Sequence, residues 1–292
     1  MNTGRAKVAL IVAFLSLNLF LIYNLFLPDL KRLQSGSLPV KELRQIEKHI
    51  EDAGYRLALP LDREVRTGTF ITVAPSLADR TPSADETYSF IAGEEADIYH
   101  CAGRQVHLYP GGRTVIHYIP GIPLELSEPK EETLKGRVEA FLQDNFNFFQ
   151  VKFDRLQEEI PGERIITYIQ DAGGAGLYSS FIRVTVTGER LTAIEYLWLK
   201  LLKQSGEHPL EMISSAEAVL KLVEELGPAD RERWITRIDL GFYSEEYEAE
   251  QWDIPPVWRV IIDHRQIYYI NAFTGHLEHG LNIDGEERSS KI

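Results

Sequence analysis

The residues with the richest chemistry sit close together in the first half of the chain. His100, His107 and His117 flank Cys101, and His/Cys clusters of this kind are zinc ligands when they converge. Convergence depends on the turn that joins residues 105–118. If Gly111-Gly112 is a two-residue turn, His107 faces Ile116 and His117 faces Val106, so the two imidazoles point to opposite faces of the sheet. A three-residue turn would put them opposite each other. With the two-residue turn no metal site is expected, and the histidines are ordinary strand residues. Cys101 beside His100 is no thiol dyad, because neighbours on a strand point to opposite faces.

Other patterns lead to the same expectation, that the chain has no catalytic, cofactor-binding or metal-ligating residues. Asp171 to Gly176 is glycine-rich, yet it lacks the Lys-Ser/Thr ending of a phosphate loop and precedes a strand. G-x-S-x-G and H-E-x-x-H are absent from the sequence. The acidic pairs Glu94-Glu95, Glu158-Glu159 and Glu245-Glu246 read as solvated turns. Three polar residues stand out for a different reason. Ser16, Asn18 and Asn24 interrupt an otherwise apolar run, where an amide can hydrogen-bond a neighbouring helix for about 0.6–2 kcal/mol. They are the candidate helix–helix contacts.

That run, residues 8–27, has no charge, glycine or proline, and its length matches a helix crossing the hydrocarbon core. It exceeds the apolar core of a cleaved secretory signal, and no A-x-A pattern follows it. A retained anchor is expected, with residues 1–7 as a cytoplasmic tail and the bulk of the chain outside the cell membrane. Arg5 and Lys7 favour that orientation; Lys31 and Arg32 oppose it. The 292 residues carry a net charge of −13, and because residues 1–27 hold two cations and no acid, the remainder carries −15. Such a surface repels nucleic acid. One cysteine permits no intrachain disulfide, so stability must come from burial.

The elements beyond the anchor alternate between helices and short strands. Helices are expected from Ser37 to Gly54, after Pro129, and from Ser214, where Glu217 completes a capping box and Gly227-Pro228 stops the helix. Strands follow each helix, and the three helix starts fall about 87–90 residues apart. Consecutive strands beside helices argue an α+β fold with antiparallel sheets. A Pro/Gly cluster, Pro120 to Pro129, suggests a boundary between a first α+β domain at 37–126 and a second at 127–284, with 285–292 as a tail.

The two ends of the chain resemble a known family. Arg5-Ala6-Lys7 followed by Ile11, Phe14, Leu15, Leu17, Asn18, Leu19, Phe20, Leu21 and Tyr23 resembles the N terminus of the YycI regulators. Trp258-Arg259-Val260, Tyr268-Tyr269-Ile270-Asn271 and Thr274-Gly275 resemble the closing strands of that family and of PepSY-like modules. The resemblance implies a single-pass membrane regulator. It would act with a YycH-like partner on the sensor histidine kinase of the WalK/WalR (YycG/YycF) two-component system and tune cell-wall metabolism. The alternative is a PepSY-like extracytoplasmic inhibitor or chaperone of a secreted peptidase.

Overall fold

A computed structural model describes Phe14, Leu17 and residues 36–76, 88–93, 95–125, 131–146, 148, 150–245 and 249–282. Three described helices have apolar stripes at three- and four-residue spacing. Helix α1 is Val40–Asp52, burying Ile46 and Ile50. It ends at Gly54, whose φ of 88° suits a residue without Cβ. Helix α2 is Glu131–Asn145, burying Leu134, Val138 and Leu142. Helix α3 is Ser215–Leu226, and the capping box between Ser214 and Glu217 is formed in both directions.

The strands in chain order are β1 (Tyr55–Leu57), β2 (Thr67–Pro75), β3 (Tyr88–Ile91), β4 (Asp97–Cys101), β5 (Arg104–Leu108), β6 (Thr114–Pro123), β7 (Val151–Ile160) and β8 (Glu163–Ala172). They continue with β9 (Ala175–Thr187), β10 (Arg190–Leu197), β11 (Leu199–Glu211), β12 (Arg233–Phe242), β13 (Trp252–Ile254), β14 (Pro256–Ile262), β15 (Gln266–Asn271) and β16 (Leu277–Asn282). A 13-stranded sheet runs in the order β16-β15-β14-β12-β9-β10-β6-β5-β4-β3, with β1 on β12 and β7-β8 on β9. A smaller sheet has the order β11-β2-β13. The fold is therefore sheet-rich α+β. Pairing is antiparallel as expected, except where β12 runs parallel to β1 and to β9.

Strands of residues 37–126 and 127–284 share hydrogen bonds at several places: β1 with β12, β6 with β10, and β2 with both β11 and β13. Helices α1 and α3 pack together over one face of β12, β14 and β15, on Ile235, Trp258, Val260, Ile262 and Ile270. Helix α2 covers Ile166, Tyr168, Ile182, Val184 and Ile194 of β8, β9 and β10. Each aliphatic side chain so buried contributes about 1.5–3 kcal/mol. The two halves of the sheet meet on β9. Strand β8 occupies one edge of β9, while β10 and then β12 share the other.

One expectation needs correcting. The turn after β5 is the three-residue alternative, Pro110 to Gly112, closed by the Tyr109 N–H donating to the Arg113 carbonyl at 2.9 Å. The extra residue shifts the register, so that His107 opposes Val115 and His117 opposes Gln105. His107 and His117 consequently lie on one face, diagonal to each other, with ring centroids 5.3 Å apart. Among the described residues no three His, Cys, Asp or Glu side chains are grouped to hold a metal ion.

Residues 8–27 lie outside the described residues apart from Phe14 and Leu17, which are helical and exposed. Ser16, Asn18 and Asn24 therefore also lie outside them. Among the described residues no helix is long and apolar enough to cross a membrane.

Candidate functional site

Strand alternation sends one set of side chains from β12, β14 and β15 toward α1 and α3, and the other set to the opposite face. On that opposite face, at the seam between the halves of the sheet, sits a cluster of charges. Strand β14 reads Pro-Val-Trp-Arg-Val-Ile-Ile and every residue of it is buried. Arg259 is its one charged residue, at 1% exposure. A guanidinium buried to that degree must be paired and hydrogen-bonded.

Asp154, from β7, is its partner. Arg259 Nη1 donates to Asp154 Oδ2 at 3.0 Å and Nη2 lies 2.8 Å from Oδ1, a two-pronged pairing. Arg259 Nη2 also donates to Asp239 Oδ2 at 2.8 Å. Two more guanidiniums close on Asp154: Arg155 Nη1 at 2.8 Å and Arg237 Nη1 at 3.2 Å. Arg237 Nε in turn pairs with Asp239 at 2.7 Å. The Arg259 guanidinium lies over the Tyr178 ring, 4.1 Å from its centroid. Five strands, β7, β9, β12, β14 and β15, thus supply one network, with Tyr269 of β15 tilted against Tyr178 at 5.5 Å.

Burial alone would push the Asp154 carboxyl up, but Arg259, Arg155 and Arg237 together hold it below its ordinary value. It stays ionised with both oxygens occupied, which makes it a poor proton donor or acceptor. Burial raises the Tyr178 hydroxyl well above its usual range, so it remains neutral. The groups of the cluster pair with one another, which fixes the strands that carry them.

The folded-state value of Asp154 lies below the unfolded one. Its contribution to stability is therefore complete above the unfolded carboxylate value and is lost as pH falls through the folded one. Stability measured by denaturation should fall steadily below about pH 4. In Asp154→Asn that acid-side slope should be shallower, although the variant is less stable at neutral pH.

Two cavities flank the network, and both are lined by Ile169, Tyr178 and Arg259. One, of about 350 Å³, opens toward Arg66, Lys152, Arg237 and Asp239. The other, of about 180 Å³, opens toward Thr167, Arg183, Tyr243 and Tyr269.

Reading the sequence missed this site. The candidate contacts it did name, Ser16, Asn18 and Asn24, are not among the described residues, so nothing relates them to the cluster. A signal was present, however: a lone arginine in the middle of an apolar strand demands a buried acid somewhere else in the chain.

The family model described as YycI protein matches residues 105–273, which include every member of the network. No curated protein matches the chain. Among solved structures, the chain is similar to an uncharacterized protein from Eubacterium rectale ATCC 33656. The TM-score is 0.46 and the identity 9%, covering 82% of this chain and 91% of that chain.

Proposed function

The chain belongs to the YycI family, and from that membership we propose that it is a membrane-anchored regulatory subunit working beside a YycH-like protein. The family is regulatory and non-catalytic, with its role in the YycG/WalK two-component system. The finer reading places the chain at the cell membrane through residues 8–27, with its N terminus cytoplasmic and its bulk extracytoplasmic. There it contacts the sensor histidine kinase and alters cell-wall homeostasis. The match over residues 105–273 carries this reading; the apolar run of residues 8–27 supports the anchor.

An extracytoplasmic subunit can reach the kinase through neighbouring transmembrane helices. About 1 kcal/mol per interhelical hydrogen bond suffices to shift a two-state kinase several-fold. Kinase output is therefore expected to change in Asn18→Leu, and to change more when residues 8–27 are exchanged for an unrelated apolar helix of equal length. Membrane level should stay constant in both. Full regulation by the exchanged helix would reduce the span to a tether. Affinity capture of the full chain from membranes should recover the histidine kinase and the YycH-like protein; recovery of a secreted peptidase in their place would sink the regulatory reading and favour the PepSY-like one.

A further inference from the structure

A polar row runs beside the ion network. Arg155, Thr167, Arg183 and Glu195 stand directly opposite one another across β7, β8, β9 and β10. Alternation puts them on the face away from α2, whose side is taken by Ile166, Tyr168, Ile182 and Ile194. The cavity of about 180 Å³ lies over this row and extends to Arg259. Four guanidiniums line it, from Arg113, Arg155, Arg183 and Arg259, against the two carboxylates of Asp154 and Glu195. In a chain of net charge −13 this is a local inversion of sign.

Both carboxylates are already committed. Asp154 is held by three guanidiniums, and Glu195 accepts from Arg113 at 3.4 Å and Arg183 at 3.3 Å. Two residues that line it nonetheless carry a buried donor with no hydrogen-bond partner among the described residues: Arg259 at Nε and Thr167 at Oγ1. Their residues are only 1% and 3% exposed. Unpartnered donors at that burial are costly unless a ligand or ordered water completes them. Burial above all lowers the Arg155 value below its ordinary one, against the opposing pull of Asp154; Arg183 and Arg259 add smaller contributions in the lowering direction. An aromatic wall completes the cavity, with Tyr243 stacked on Tyr269 at 3.9 Å.

We propose that this cavity binds a small organic oxyanion, its carboxylate or phosphate head held by Thr167, Arg183 and Arg259 and its body against the Tyr243–Tyr269 wall. Excess guanidinium charge selects the head group. The stacked rings give a flat or apolar body a surface that inorganic ions cannot use.

The full chain, purified in a non-ionic detergent, would be titrated calorimetrically near neutral pH with phenyl phosphate, benzoate, inorganic phosphate and, as a cationic control, benzylamine. Saturable binding of phenyl phosphate or benzoate is expected, weaker for inorganic phosphate and absent for benzylamine. The tighter of the first two identifies the head group. Arg183→Gln and Thr167→Val should each weaken binding roughly tenfold or more. Thr167→Val also removes an unpartnered hydroxyl, so the ligand-free variant should keep or gain thermal stability while the ligand-induced rise in Tm shrinks. A merely structural Thr167 would not separate those two readouts. The assignment fails if neither organic anion saturates, if both variants bind as the parent does, or if benzylamine or inorganic phosphate binds as tightly.

Discussion

Replacing Asp154 by Ala should destabilise the fold by about 3–5 kcal/mol, the cost of removing one partner from a buried ion pair. Among the described residues Asp154 is the one acid shared by Arg155, Arg237 and Arg259, at side-chain exposures of 22%, 36% and 1%. Its loss leaves three cations facing Asp239 alone within the network. Arg259 cannot escape to water, whereas Arg237 can. Arg259→Met should cost less, because Asp154 would keep Arg155 at 2.8 Å and Arg237 at 3.2 Å. The double variant Asp154→Leu/Arg259→Met should recover much of the single Asp154→Leu loss, since a packed apolar pair of similar volume is often no worse than a buried ion pair. Urea denaturation of the four proteins side by side gives the ordering. An Arg259→Met more damaging than Asp154→Ala would move the main stabilisation from the ion pair to the stack of Arg259 on Tyr178.

That network also marks where sequence reading stops. Local signals were legible because they act within a few residues. The Ser214–Glu217 capping box and the helix stop at Gly54 both fall where composition places them. The turn at Pro110 to Gly112 was legible as a turn but not in its length, and one residue decided which face His107 and His117 share. Pairings between distant segments had no local signal. Nothing in Tyr55–Leu57 announces a parallel partner at Arg233 to Ile235. The Asp154–Arg259 pair spans 105 positions. Arg259 in its apolar run demanded an acid, but each of the chain's many acids met that demand equally well until the strands were placed. Asp154 was then singled out because its carboxylate on β7 meets the Arg259 guanidinium of β14.

The seam that brings those strands together should be equally sensitive to the addition of a single methyl group. Gly241 of β12 pairs with Gly176 of β9, one of only two residue pairs in that parallel contact. A Cβ on Gly241 would lie 2.4 Å from the Gly176 carbonyl oxygen and 2.5 Å from the Tyr178 ring. Neither neighbour can yield easily. The carbonyl belongs to the facing backbone, and the ring is held between the Arg259 guanidinium and Tyr269. Gly241→Ala is therefore expected to cost about 3 kcal/mol, at the upper end of overpacking, and to lower Tm in a thermal scan. Gly136→Ala is the matching control. Gly136 lies within α2 with nothing inside 4 Å of the added carbon, so that substitution should stabilise by about 0.5–1 kcal/mol through helix propensity. Because the Tyr178 ring lines both cavities, Gly241→Ala should also weaken oxyanion binding while Gly136→Ala leaves it unchanged. Equal stability of Gly241→Ala and the parent chain would mean that β9 and β12 are not in close backbone contact, and the seam that assembles the Asp154 network would have to be redrawn.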